Sequence, residues 1–219
     1  MKVILCSWGL STESIIRACE GQVGKPRGSI NVAIINEAIK GVPGDHRWFA
    51  DELQHLRDAI GGNLEFIDLQ SQSLDYVQER IAESDMIYCF GGNTDYLSNV
   101  FIQTGFAKIL PEVLANKVWV GSSAGSCVLC HREDEETHES VYQEQHETDC
   151  YMDIIPLVFM PHLHGWFKYG ESEVIKASAC TDLPVYALSD QAALVIDGDE
   201  APKIIGDDYL IAEKGKLIN

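Results

Sequence analysis

A serine hydroxyl attacks a carbonyl only when a neighbouring base takes its proton, and the base works best when an acid fixes its orientation. The chain offers all three groups. Ser123 stands in Gly121-Ser122-Ser123-Ala124-Gly125, a match to G-x-S-x-G, directly after the strand-like run Lys117–Val120. A serine at such a strand-to-helix turn is the pattern of a nucleophile elbow, where small neighbours let the backbone pass through a strained bend. The competing reading is a tight Gly-Ser turn with no chemistry. For the base, His162 follows the apolar run PLVFM in MPHLHGW, with His164 as competitor two residues on. For the acid, Asp190 lies at the break between two strand-like runs in VYALSDQAALV, whereas Asp197 and Asp199 read as turn residues.

Acyl transfer also needs donors for the oxyanion. The N–H of Ala124, next after Ser123, is one candidate. DMIYCFGGNTDYL is a second apolar run that ends in glycines and enters a helical pattern. Gly91 or Gly92 there could supply the other N–H, since glycine lets a substrate approach the backbone closely. Asn93 or Thr94 could equally be a helix N-cap at an ordinary turn.

These residues must be positioned by an alternating pattern. Short β-rich runs occur at Val3–Ser7, Ile30–Ile35, Leu64–Leu69, Met86–Phe90 and Val118–Gly121. Helical periodicity separates them: DHRWFADELQHLRDAIGG, with Asp45 as cap and Gly61 as stop, then SLDYVQERIAES and YLSNVFIQTGFAKILPEVLAN. Strand and helix in alternation predict an α/β fold, three-layer α/β/α, with a mostly parallel central sheet. After about residue 183, PVYALSD, QAALVIDGD, PKIIGDD and YLIAEKGKLIN are strand-like runs with short turns, expected as an antiparallel C-terminal extension. No linker or repeat interrupts residues 1–219, so one domain is expected.

Composition narrows the partners. A hydrophobic content of 46% supports a sizeable core, and the net charge of -18 argues against nucleic acid and anionic membrane surfaces. The beginning lacks a signal-peptide pattern and no run spans a bilayer, so a cytoplasmic location with seven reduced cysteines is expected. Cys127, Cys130 and His131 spell the C-x-x-C-H of a c-type haem site, but without an export signal they read as small side chains packed under the sheet. Glu133–Asp149 is dense in acids and carries His138 and His146. Without fixed ligand spacing it predicts a flap over the site rather than a metal centre.

FGGNTDYL, VGSSAGS, MPHLHG and YALSDQAALVIDG, in that order, resemble the peptidase E family, the aspartyl dipeptidases and their cyanophycinase-like relatives. The similarity runs from about Met1 to Gly198. It implies a class I glutamine amidotransferase-like fold and serine peptidase chemistry with no metal and no cofactor. Ser123 matches the family's nucleophile, His162 the histidine of its Pro-His motif, and Asp190 the place where relatives usually carry glutamate. Asn93 and Thr94 fall in its glycine-asparagine loop, which makes them candidates for substrate contact. The shorter aspartate leaves an acid from Glu133–Asp149 as an alternative partner for His162. A dipeptide substrate with an N-terminal aspartate needs a carboxylate-binding group, for which Arg132, His164 and Lys168 are the candidates.

The expectation is therefore a serine-type peptidase acting on short peptides through Ser123, His162 and Asp190. The alternatives are another acyl-transfer hydrolase, an esterase or amidase, and a binding protein that kept the fold. A homodimer stays open.

Overall fold

The computed structural model of the chain describes residues 1–148 and 151–218. In chain order the first elements are β1 (Lys2–Cys6), α1 (Glu13–Val23), β2 (Val32–Ile35), α2 (Arg47–Ile60), β3 (Leu64–Ile67) and α3 (Leu74–Glu83). Next come β4 (Met86–Cys89), α4 (Thr94–Thr104), α5 (Phe106–Asn116), β5 (Val118–Ser122), α6 (Ala124–Cys127), β6 (Cys130–His131) and α7 (Glu135–Tyr142). The chain closes with β7 (Ile155–Pro161), α8 (Glu171–Ala179), β8 (Val185–Leu188), β9 (Ala193–Asp197), β10 (Lys203–Ile205), β11 (Tyr209–Glu213) and β12 (Lys216–Leu217). None of the described helices is long and apolar enough to cross a membrane.

The main sheet has the order β10-β9-β1-β5-β4-β2-β3. Its five strands from β1 to β3 are parallel, and β9 and β10 add antiparallel at one edge. Strands buried on both faces read as unbroken apolar runs, and period-2 alternation sends neighbours to opposite cores. On β1, Val3 and Leu5 face the core under α3, α4 and α5, while Ile4 and Cys6 face the core under α1 and α2. The result is the expected three-layer α/β/α arrangement.

A second sheet, β12-β11-β8-β7-β6, carries the other half of the site. On β7, Leu157 and Phe159 join the larger core, whereas Val158 and Met160 pack with Val174 and Ala177 of α8 in a separate small core. The C-terminal runs therefore divide between two sheets. β8 differs from the antiparallel expectation: it lies parallel to β7, and only its other neighbour, β11, is antiparallel.

Two helix boundaries also differ from the periodicity. YLSNVFIQTGFAKILPEVLAN forms two helices, because Gly105 takes φ 81° and ends α4 in a left-handed turn. On α2 the N-cap is His46, and Asp45 sits one residue earlier, where its carboxylate accepts the Arg47 N–H. Gly61 ends that helix as expected, at φ 63°.

Candidate active site

The strand β5 carries the chain to Ser122, and the turn begins at Ser123, with φ 47° and ψ -113°. A positive φ at a residue with a Cβ is strained backbone, so surrounding contacts must hold it. They are present. The Ser123 N–H donates to the Cys6 carbonyl at 2.9 Å. Ser126 Oγ accepts the Cys6 N–H at 3.0 Å and lies 2.9 Å from the Cys6 carbonyl, and Ser122 Oγ accepts the Gly9 N–H at 3.1 Å. The end of β1 thus fixes three of the turn's residues.

The two glycines of G-x-S-x-G have a steric reason. A Cβ on Gly121 would press into the Gly125 carbonyl, and one on Gly125 into the Cys89 carbonyl at the end of β4. The turn folds back on its own strand and lies on the neighbouring one. Gly91 brings its backbone beside Ser123: a Cβ there would stand 3.0 Å from Ser123 Cβ and 3.7 Å from Ser123 Oγ.

His162 and Asp190 arrive from β7 and β8. Parallel strands end at the same edge, and their register pairs Pro161 with Leu188. His162 follows that pair by one residue and Asp190 by two. The Leu163 N–H donates to the Leu188 carbonyl at 2.9 Å, and Ser11 Oγ donates to the Asp190 carbonyl at 2.6 Å, so both loops are tied down. His162 is 6% exposed and, like Ser123, has positive φ, 65°. With Nδ1–H donated to Asp190 Oδ1 at 2.6 Å, Nε2 is left to accept from Ser123 Oγ at 3.0 Å. The structure thus brings Ser123, His162 and Asp190 into one hydrogen-bonded chain. Asp190 reaches His162 although its side chain is one methylene shorter than glutamate. Asp149, the last residue of the segment weighed as an alternative, lies outside the described residues.

Behind the turn, Glu52 of α2 is 2% exposed and accepts from Tyr88 Oη at 2.7 Å and from the Ser122 hydroxyl. Burial raises its pKa above the ordinary carboxylate range, against the opposing effect of those two hydrogen bonds.

A cavity of about 650 Å³ opens beside Ser123, lined also by Gly92, Asn93, Thr94, Asp95, Tyr142 and Phe167. Asn93 is the N-cap of α4, its side chain accepting the Tyr96 N–H at 2.7 Å. The acidic segment covers the wall of this cavity, with Glu133, His138, Glu144, Gln145, His146 and Glu147 on the lining. It is held there by Asp95, which takes the Glu147 N–H and pairs with His146 Nδ1 at 3.3 Å. Burial acts to raise the Asp95 pKa, but those two hydrogen bonds prevail and lower it. Burial likewise opposes charge on His146, yet the Asp95 bond prevails and raises that imidazole's pKa.

Three residues weighed as carboxylate binders do not line the cavity: Arg132, His164 and Lys168. Arg132 Nη1 donates to the Thr148 carbonyl at 3.1 Å, and His164 Nδ1 pairs with Asp208 at 3.1 Å on the surface. The C-x-x-C-H residues have other surroundings. Cys127 Sγ and Cys130 Sγ are buried, each 3.5 Å from a backbone carbonyl, and burial pushes both thiols up. The acidic segment lies over the cavity as expected, anchored by Asp95 of FGGNTDYL; what no motif marks is the aromatic part of the wall, Tyr142 and Phe167.

Residues 12–204 match the model of peptidase family S51. Among curated proteins, the chain is 22% identical over 156 residues to the uncharacterized peptidase PM1590 of Pasteurella multocida, covering 70% of this chain and 75% of that one. It is 25% identical over 150 residues to the uncharacterized peptidase Lmo0363 of Listeria monocytogenes, covering 65% and 71%. Among solved structures, a protein of Listeria monocytogenes EGD-e assigned as peptidase E superposes with a TM-score of 0.73 at 19% identity, covering 94% of this chain and 98% of that chain. A peptidase from an acI-B1 Actinobacterium superposes with a TM-score of 0.67 at 16% identity, covering 99% and 96%. The fold is the one these peptidases share, class I glutamine amidotransferase-like. With the family model spanning most of its length, the chain belongs to peptidase family S51 and is a serine peptidase.

Proposed function

We propose that this peptidase cleaves short peptides with a free amino terminus through an acyl-enzyme formed on Ser123. The observation that carries this reading is the chain Ser123 Oγ, His162 and Asp190, with contacts of 3.0 and 2.6 Å. In the proposed reaction, His162 Nε2 takes the hydroxyl proton as Ser123 Oγ bonds to the carbonyl carbon. The oxyanion is stabilised by the N–H of Ala124 together with that of Gly91 or Gly92. His162 then returns its proton to the departing amine. Water, activated by the same ring, releases the acid product.

The cavity wall supports the substrate class. Its charged side chains are Asp95, Glu133, Glu144 and Glu147, with imidazoles but no lysine or arginine among the lining residues. A peptide's ammonium fits that wall. An N-terminal aspartate, expected from the family resemblance, finds no lysine or arginine there for its side chain. A reducing compartment, the cytoplasm, suits the six free cysteines among the described residues.

Labelling with a fluorophosphonate tests the assignment. The wild type is expected to label at Ser123. Ser123→Ala is expected to lose the label and to drop turnover by several orders of magnitude with the fold intact. A fully active Ser123→Ala variant would sink the proposal.

A further inference from the structure

Trp166 is the most exposed large apolar side chain among the described residues, at 63%. Its ring stacks on that of Trp8, with centroids 6.0 Å apart and planes at 27°. Neither indole lines the cavity beside Ser123. A single exposed apolar side chain is ordinary, but two indoles stacked across the loops of an active site form a patch, and such patches mark binding surfaces.

The loop between β1 and α1, which carries Trp8, is laced to both halves of the site. Ser7 Oγ donates to the Leu188 carbonyl at 2.8 Å, the Gly9 N–H donates to Ser122 Oγ at 3.1 Å, and Ser11 Oγ donates to the Asp190 carbonyl at 2.6 Å. Trp8 therefore stands between a residue tied to the strand that leads to Asp190 and one tied to the neighbour of Ser123. Trp166 lies in the turn that follows His162, closed by the Gly165 N–H on the His162 carbonyl at 2.8 Å and by the Lys168 N–H on the Gly165 carbonyl at 3.2 Å. In that turn His162, His164 and Lys168 all have positive φ, 65°, 58° and 53°. Strained backbone of this kind persists where its surroundings hold it, and it gathers at functional sites. The stack thus bridges the loop beside the serine and the loop of the histidine.

We infer that Trp8 and Trp166 form the wall that receives the side chain of the residue after the scissile bond, and that the enzyme selects a large apolar or aromatic residue at that place. The inference rests on the serine peptidase reading, with the substrate's amino terminus in the acidic cavity. A peptide attacked by Ser123 Oγ runs past the nucleophile in two directions. Adjacent residues of the turn after His162 face the two. Phe167 lines the cavity, its ring centroid 4.7 Å from that of Tyr142 and 5.8 Å from that of His162, while Trp166 turns to Trp8. With the acyl half in the cavity, the amine half leaves on the other side, where the His162 ring must reach the departing nitrogen to protonate it. Trp8 and Trp166 bound that side. Their uncharged faces hold an aromatic ring by stacking and an aliphatic chain by burial.

Initial rates on two dipeptide series test the wall: Ala-X and X-Ala, with X as Gly, Ser, Leu or Phe. The wild type is expected to show a kcat/KM about tenfold higher for Ala-Phe and Ala-Leu than for Ala-Gly. Trp166→Ala is expected to cut that ratio to about threefold or less, and Trp166→Phe to keep most of it. The ranking within X-Ala should stay that of the wild type, whereas a merely structural role would lower both series together. Circular dichroism verifies that the variants fold, and the exposure of Trp166 makes its replacement mild. Fluorophosphonate labelling at Ser123 separates the two readings. A protein that labels yet cleaves Ala-Gly and Ala-Phe equally would overturn the inference and leave the serine peptidase standing. So would a change in Trp166→Ala that falls on X-Ala instead of Ala-X. A protein that neither labels nor cleaves would overturn both.

Discussion

His162 and Asp190 sit one and two residues past a single register pair, Pro161 and Leu188, at the ends of adjacent parallel strands, and the acid meets the ring at 2.6 Å. The strand pairing thus delivers imidazole and carboxylate together, and Ser11, in the loop between β1 and α1, secures the Asp190 backbone. The shorter side chain of aspartate is compensated by where its Cα is held. Asp190→Asn is therefore expected to keep the fold but favour the wrong tautomer of His162, with turnover lower by about four orders of magnitude. Asp190→Glu should retain partial activity after a small shift of the ring. Steady-state kinetics on any cleaved peptide would check both, and an unimpaired Asp190→Asn would remove Asp190 from the catalytic chain.

Gly125 packs its Cα against the Cys89 carbonyl, and that carbonyl belongs to a central parallel strand that cannot turn aside. Gly125→Ala is expected to destabilise the protein by about 3 kcal/mol, the upper end for overpacking, and to displace Ser123. Thermal unfolding and fluorophosphonate labelling should fall together. Gly198→Ala is the contrasting control, because a Cβ there meets nothing, although its φ of 58° still costs some strain.

The layered fold was legible because strands buried on both faces leave continuous apolar runs, and Ser123, His162 and Asp190 were legible because each closes such a run. The split of the C-terminal strands between two sheets was not. Period-2 alternation tells which residues share a face, not which strand is the neighbour, so β8 beside β7 left no mark. The break at Gly105 was hidden because residues on both sides keep helical spacing, and only its left-handed backbone separates the helices. The acidic segment was legible as a flap over the site, but the contact that anchors it was not, for a related reason. Asp95 and His146 are 51 positions apart and meet only because α4 lies beside the folded acidic segment.

Glu52 offers a test by pH. Its pKa is raised by burial, so the folded state holds this proton more tightly than the unfolded chain. The stability tied to that proton is complete below the unfolded value of about 4.5 and is lost as pH rises through the folded value. Glu52→Gln keeps a neutral group of the same shape beside Tyr88 and Ser122. It is expected to unfold like the wild type at pH 4 and to be more stable at pH 8, seen as a Tm difference that grows with pH. A Tm difference that does not grow with pH would mean that Glu52 is not held protonated.

The acidic wall makes a prediction about selectivity. Glu144 and Glu147 line the cavity at exposed positions, so each contributes on the scale of a solvent-accessible ion pair, about 0.2–1 kcal/mol. Removing both charges in Glu144→Gln/Glu147→Gln should raise KM for a free-amino dipeptide by about two- to thirtyfold. Because the ammonium lies away from the reacting carbonyl oxygen, kcat should hardly change, the pattern of lost uniform binding. N-acetylated peptides should show no such rise, and added salt should narrow the difference for the wild type. The same wall predicts that Lys-Leu is cleaved with a higher kcat/KM than Asp-Leu, since the second carries a carboxylate towards Asp95 and Glu133. A preference for Asp-Leu that survives in the double variant would mean that the amino-terminal residue is read by groups outside this wall.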